Sequence, residues 1–373
     1  MKKYELIDLH REFRFLKSEM ALIIKKIFDS GSFTFGKELE QFEKNYAKYC
    51  DTKYCIGTSS GTTALFFAIK SFGIGKGDEV IVPALTFTAT AEAVVQAGAK
   101  PVFVDITRNT LLINPDEIRK KITKKTKAII GVHLYGLPVD IYKIKKICKE
   151  CKLFFIEDAC QAHGATYSNF PIGSFGDVAC FSFMAAKNLS GPGDGGCVIT
   201  NNEKIKELIL LLRNHGRKSK NDHIIVGYNG RLDNLKATIL NLKLKYLDKW
   251  NIRRREIATL YKKNINSRFV EFQGTPKDRK SAYCYFVILI KKNRNKIVDR
   301  LKEEGIMASV HYPKPLHLQK AYSYLGYKKG DFPIVEKVCN ELISLPINPF
   351  LKDEEVMDIC NKVNEILKRV SKR

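Results

Sequence analysis

The spacing of apolar residues changes along the chain, and the changes mark out its elements. From about residue 50, short runs rich in β-branched residues alternate with longer segments whose apolar residues return every three or four positions. The short runs predict strands at Lys53–Gly57, Glu79–Val82, Pro101–Asp105, Ala128–Val132 and Leu153–Glu157. The intervening segments, such as Thr62–Ser71 and Thr88–Ala97, predict helices. Strands joined through helices predict βαβ units, hence an α/β fold with a mainly parallel central sheet flanked by helices. Two more strand-like runs, Asp177–Phe183 and Gly196–Thr200, follow at short range and allow an antiparallel edge. A long helical region from about Leu232 to Asn264 reads as a connector. Beyond it, Ala282–Ile290, a helix near Lys296–Glu304, Met307–Tyr312 and two further helices read as a smaller α+β domain. The expected division is a large domain, 1–250, and a small C-terminal domain, 251–373.

Composition narrows the class. A chain of 373 residues, 45% hydrophobic, can bury a sizeable core. Its longest apolar stretches, Tyr285–Ile290 and Leu208–Leu212, are too short to span a bilayer. The N-terminus MKKYELIDLHREF has no apolar core of a signal peptide, so the expectation is a soluble, cytoplasmic protein. The net charge of +24 fits nucleic acid or an anionic small substrate. Yet the lysines recur on helical segments throughout, as in KITKKTK and KIKKICKECK, and are not gathered among aromatics. A solvated lysine-rich surface is the plainer reading, with no nucleic-acid partner. Ten cysteines sit mostly in apolar contexts, as free thiols do in a reducing compartment. Cys148 and Cys151 have CxxC spacing near a helix end, but no second pair completes a zinc site, so no metal is expected.

In open parallel sheets, ligands bind beyond the carboxyl ends of the strands. There the chain places small polar residues and one lysine. GTSSGTTAL (57–65) is strand, turn and helix; the helix-start N–H groups with the Ser60 and Thr62 hydroxyls can cradle a phosphate, or Ser60 is a plain N-cap. Phe87 can stack on a ring or belong to the core. Asp158, in EDACQAHGA, needs a cationic partner, from the protein or from a cofactor. Lys187 follows the strand that holds Ser182 and precedes a glycine-rich loop, SGPGDGG. A Lys buried at a strand end is costly unless used, and the glycines read as a tight turn beside a ligand. A phosphate-bearing aromatic aldehyde, pyridoxal 5'-phosphate, suits the whole set: lysine for the imine, carboxylate for the ring nitrogen.

The motifs GSFTFGKELEQFE, GTSSGTTAL, VPALTFTATAEAV, IEDACQAHGA, FSFMAAKNLSGPGDGG, GYNGRLDNLKATIL, VHYPKPLHLQKAY and SLPINPFLKDEEV stand in an order that resembles the DegT–StrS family of sugar aminotransferases. The resemblance implies the aspartate-aminotransferase (type I) fold. It implies that Lys187 binds the cofactor aldehyde and, once freed, shuttles the proton; that Asp158 pairs with the ring nitrogen; and that Gln161 reaches the ring hydroxyl. Phe87 would stack on the ring, and Gly61, Thr62 and Ser182 would hold the phosphate. Asn229 would reach the phosphate from a neighbouring subunit, making the unit at least a homodimer with shared sites. Arg231, His311, Tyr312 and His317 are substrate candidates; for His163 and His215 a structural role is equally expected. Relatives acting as dehydratases carry histidine where this chain has Lys187, so transamination is implied. The family takes nitrogen from L-glutamate and aminates nucleoside-diphosphate keto sugars. EDACQAHGA with NGRLD and HYPKPLHLQ resembles enzymes of 3-keto sugars; a 4-keto sugar, a cyclitol ketone or a non-catalytic regulator are the alternatives. One departure, Met184-Ala185-Ala186, bears on the shape of the pocket.

Overall fold

Residues 3–371 are described by the computed structural model, and the alternating segments assemble in it around one seven-stranded sheet. Its strands are β1 (Tyr54–Thr58), β2 (Glu79–Pro83), β3 (Lys100–Val104), β4 (Thr126–Val132), β5 (Phe154–Asp158), β6 (Val178–Ser182) and β7 (Gly196–Thr200). They lie in the order β1-β7-β6-β5-β4-β2-β3. The pairs from β6 to β3 are parallel. β7 runs antiparallel to both β6 and β1. The reversed strand is therefore not the edge that the sequence allowed; it lies one place in, and β1 forms the edge. The chain turns back beside β6 without a crossover, which leaves the far side of β7 free for β1. All residues of β2, β6 and β7 are buried, as expected of sheet covered on both faces.

The flanking helices are α1 (Leu9–Ser30), α2 (Lys37–Tyr49), α3 (Gly61–Ser71), α4 (Ala89–Gln96), α5 (Pro115–Lys121), α6 (Ile141–Cys151) and α7 (Glu203–Leu212). The expected connector is two helices, α8 (Asn234–Leu244) and α9 (Leu247–Asn264), not one. Around the break Tyr246 stacks on Trp250 at 5.7 Å, and Trp250 packs with Leu16 and Met20 of α1. The main core lies on the sheet. A second core joins Tyr4 to apolar residues between Ile257 and Leu367. It includes an antiparallel sheet of Glu271–Phe272, Phe286–Leu289 and Leu342–Leu345. Leu316, Tyr322, Phe332 and Val335 cross back and pack into the main core, above the carboxyl ends of the strands.

Adjacent strand residues point to opposite faces, so Glu157 and Asp158 separate. Glu157 is fully buried, and its carboxylate accepts from the N–H groups of Gly173, Phe175 and Gly176 at 3.1, 3.0 and 2.7 Å. It also meets His133 Nε2 at 3.0 Å. His133 Nδ1 accepts from the Val139 N–H at 3.1 Å, so the ring proton sits on Nε2 and is donated to Glu157. Glu157 thus holds the turn that leads into β6. Glu157→Ala strips the turn of these acceptors and is expected to lower unfolding free energy by about 3–5 kcal/mol, measured by urea titration.

Candidate active site

The carboxyl ends of the parallel strands open on a cavity of about 380 Å³. Ser60, Gly61, Thr62, Phe87, Asp158, Gln161, Ser182, Lys187, His311 and Tyr312 all line it.

At one end α3 begins. Ser60 is its N-cap, with Oγ accepting from the Thr63 N–H at 3.0 Å. The N–H groups of Gly61 and Thr62, first in the helix, have no carbonyl within their own turn and aim the positive end of the helix at the cavity. A Cβ on Gly61 would stand 2.7 Å from Ser182 Cβ and 2.9 Å from Cys160 Sγ. Only glycine lets the helix start lie this close to β6. The result is a seat for an anion.

At the other end stands Asp158, 5% exposed. Its Oδ2 accepts from Thr90 Oγ1 at 2.7 Å and its Oδ1 from the Cys160 N–H at 3.2 Å. Among the described residues no lysine, arginine or histidine nitrogen forms an ion pair with it. A carboxylate buried without a counter-cation is costly, and a cationic ring nitrogen would relieve that cost. Gln161 is held beside it: its Oε1 accepts from the Tyr135 N–H at 2.7 Å, and its Nε2 donates to Tyr312 Oη at 3.2 Å.

Lys187 lies in a turn beyond β6, its N–H bonded to the Met184 carbonyl at 2.9 Å. It is half-buried, not buried at a strand end as the sequence suggested. Among the described residues its amine has neither a hydrogen-bond nor an ion-pair partner. A free amine, an uncompensated carboxylate and an anion seat on one cavity fit pyridoxal phosphate by charge and by chemistry.

Aromatic groups close the mouth. The Phe87 ring is 53% exposed and stands 5.9 Å from that of Tyr312, tilted by 38°. His311 stacks on Tyr285 at 4.0 Å, and its Nδ1 lies 2.9 Å from the Ser344 hydroxyl. Burial, then the nearby Lys187 charge, pushes the His311 pKa down to about 4. At neutral pH its imidazole is uncharged. Burial pushes the Tyr312 hydroxyl up, so it stays protonated.

Other sequence candidates lie outside this cavity. Asn229 is exposed, on a segment that bridges Asn214. Arg231 donates to Asn214 Oδ1 at 3.2 Å and lies 5.9 Å from the Phe35 ring. His317 is 1% exposed, with Nε2 3.0 Å from Glu336 Oε1 and its ring edge-on to Phe332. It belongs to the crossing segment itself; burial lowers its pKa, so it meets Glu336 through a hydrogen bond and Phe332 through a ring contact rather than through a salt link. His163 is buried between Tyr46 Oη at 2.7 Å and the Ser182 carbonyl at 2.8 Å. That carbonyl accepts from Nε2–H, so Nδ1 accepts from Tyr46; burial lowers the His163 pKa to about 3, and the ring stays neutral. His215 is exposed, and its carbonyl accepts from His223 Nδ1. Cys148 and Cys151 close α6, and burial pushes the Cys148 thiol up to about 12. Among the described residues no group of three or more potential ligands is placed to hold a metal.

Among the lining residues that were not foreseen are Thr90, Asp194 and Tyr285. Thr90 had a signal, a hydroxyl one turn along from Thr86, to which it bonds at 2.9 Å. Tyr285 meets His311 only through the fold, and nothing local announces it.

A free amine, a carboxylate without a counter-cation and an anion seat over a mainly parallel sheet fit the class of pyridoxal-phosphate enzymes. Residues 15–364 match the DegT/DnrJ/EryC1/StrS aminotransferase family, and the chain belongs to it. A dTDP-3-amino-3,6-dideoxy-alpha-D-galactopyranose transaminase of Aneurinibacillus thermoaerophilus is 42% identical, over 96% of this chain and 98% of that protein. A protein of Geobacillus stearothermophilus named as a pleiotropic regulatory protein is 40% identical, over 96% and 97%. The crystal structure of S. venezuelae DesV with a ketimine intermediate superposes with a TM-score of 0.96 at 36% identity, covering 99% of this chain and all of that one. The protein is thus an aminotransferase with pyridoxal phosphate as cofactor.

Proposed function

We propose that the protein moves an amino group from L-glutamate to the C3 keto carbon of a sugar carried on a nucleoside diphosphate, for the making of amino sugars. The observation that carries this reading is the convergence of the Lys187 amine, the Asp158 carboxylate and the start of α3 on one cavity. The C3 position is supported by the Aneurinibacillus relative, named as a transaminase of a dTDP-linked 3-amino sugar.

Bound there, pyridoxal phosphate supplies an electron sink joined to the donor carbon. Lys187 Nζ would hold the cofactor aldehyde and, once the donor amine has taken its place there, would as a free amine carry the proton from the donor carbon to the former aldehyde carbon. Asp158, fixed by Thr90 and Cys160, would keep the ring nitrogen protonated. Gln161 Nε2, here bonded to Tyr312 Oη, would reach the ring hydroxyl, Gly61, Thr62 and Ser182 would hold the phosphate, and Phe87 would cover the ring. Neutral His311 and Tyr312 meet the substrate at the mouth without adding charge.

A homodimer belongs to this reading. Asn229 lies outside its own cavity, and Val226, three residues before it, is 88% exposed; α1 adds Leu22 at 71% and Phe28 at 62%. Apolar exposure on this scale suits a covered interface, with Asn229 and Arg231 reaching a partner's site. The division near residue 250 and a cytoplasmic location complete the reading; no helix of the described residues is long and apolar enough to cross a membrane. The name of the Geobacillus relative favours a second reading, a regulator on the same fold. Against it, a chain with no cofactor would have little use for an uncompensated buried Asp158 beside a free lysine.

The visible absorption spectrum separates the two. Purified protein loaded with the cofactor should show a band that L-glutamate bleaches and a 3-keto sugar nucleotide restores. No band, or a band indifferent to both, rules the aminotransferase reading out. Restoration by a 4-keto sugar nucleotide alone overturns the C3 assignment.

A further inference from the structure

Helix α8 carries two lysines that are almost wholly buried, Lys236 and Lys243, each 2% exposed. Two helical turns apart, they share a face, and both reach the segment that follows Lys187. Lys243 Nζ donates to Ser190 Oγ at 2.8 Å and pairs with Glu12 at 2.5 Å. Lys236 has no carboxylate in ion-pair distance among the described residues. Its Nζ donates to two loop carbonyls, those of Pro192 at 2.9 Å and Asp194 at 2.5 Å.

The loop also closes around the lysine stem. A Cβ on Gly191 would stand 3.0 Å from Lys236 Cε, and one on Gly195 would stand 3.0 Å from Lys236 Cδ. These two glycines make room for Lys236, where the sequence suggested room for a ligand. Asn188, at the start of the segment, is tied to Asn251 Oδ1 at 2.9 Å and the Ala282 carbonyl at 2.7 Å. Both ends of the segment so held, Lys187 and Asp194, line the cavity.

We propose that Lys236 is a positioning residue for the reaction: its ammonium, threaded into loop 191–195, fixes the backbone that sets Lys187 and Asp194 at the cavity. The proposal rests on the reading of Lys187 as the reacting amine. Bonds from an ammonium to carbonyls are charge-assisted and stronger than those from a neutral amine. Burial pushes the Lys236 pKa down to about 8; Asp233 at the helix start and Asp194 in the loop oppose this, and Lys243 adds to it. The clamp therefore weakens as pH rises through about 8. Global stability from this group moves the other way. Between about 8 and the ordinary value of 10.5 the unfolded chain keeps a proton that the folded chain has lost, so folding gains as pH rises.

Amide hydrogen exchange of residues 188–196 in cofactor-free protein tests the clamp. Lys236→Met keeps the stem and removes the charge; Lys245→Met, on the exposed residue just past the helix, is the control. Exchange in 188–196 should quicken about tenfold in Lys236→Met at pH 7, with α8 and the control unchanged. In the loaded enzyme kcat should fall about tenfold with KM held, and the alkaline limb of the wild-type kcat profile near pH 8 should vanish. Unchanged loop exchange, or quickening spread over the whole chain, overturns the proposal. Should Lys236→Met not fold, wild-type exchange decides: corrected for base catalysis, loop 188–196 must loosen between pH 7 and 9 while α8 does not. Exchange needs no turnover, so this result stands apart from the Lys187 reading.

Discussion

Lys187→Ala should fold and yet turn over at least roughly 10⁴-fold more slowly, the upper end of what a positioned acid–base group contributes. The amine has two tasks, the covalent hold on the cofactor aldehyde and the proton transfer at the donor carbon. No other amine lines the cavity, so neither task has a substitute among the described residues. The fold has little to lose. Lys187 is half-buried, its side chain bonds nothing, and its backbone N–H keeps the Met184 carbonyl. The stability change should therefore stay within about 0.5 kcal/mol, as for substitutions away from packed or bonded groups. Single-turnover kinetics with L-glutamate, set beside urea unfolding of the same sample, checks both halves. A variant keeping more than a hundredth of wild-type rate would remove Lys187 from the reaction. A variant that lost the rate by unfolding would leave the chemistry to be judged on Lys187→Arg, which keeps charge and bulk but cannot act as a base near neutral pH.

What the sequence disclosed follows from how far each signal reaches along the chain. The start of α3 was legible because strand, polar turn and helix are contiguous from Gly57 to Leu65. Lys187 and Asp158 stood out for the opposite reason: a charge at the end of an apolar run contradicts its surroundings. Of the two adjacent acids the sequence assigned Asp158 to a cation, and strand alternation turns Glu157 to the opposite face. The sequence suggested too that the loop glycines served the ligand. Only the fold shows that Gly191 and Gly195 face Lys236, a residue far along the chain. The same holds for the reversed β7 and for the stacking of Tyr285 on His311. Pairings between distant segments leave no local periodicity. Arg231 and His317 were grouped with the site through the motifs NGRLD and HYPKPLHLQ; within one chain the first meets Asn214 and the second Glu336.

Asp158→Asn should separate catalysis from folding in the opposite sense to most active-site changes. The amide has the shape of the carboxylate: its oxygen can accept from the Cys160 N–H, and its Nδ2 can donate to Thr90 Oγ1 once that hydroxyl turns to Thr86, but it carries no charge. Without that charge the ring nitrogen is not held protonated, and the electron sink is shallow. The loss should be about 10²–10³ in kcat, the order seen when one preorganised electrostatic group is removed from a reacting centre. The cofactor-free protein should meanwhile be as stable as wild type or more so, because a buried carboxylate without a cation costs free energy. The sign reverses on loading: cofactor should raise Tm less in Asp158→Asn than in wild type, since only the wild type gains an ion pair. Thermal unfolding of both proteins, with and without pyridoxal phosphate, reads this difference directly. Equal Tm gains would mean that Asp158 makes no ion pair with the bound ring, and the role assigned to it would fall even if kcat dropped. Asp158→Ala provides the contrast. It takes the acceptor from the Cys160 N–H and leaves the Thr90 hydroxyl only Thr86, so stability should fall by about 1–3 kcal/mol along with the rate.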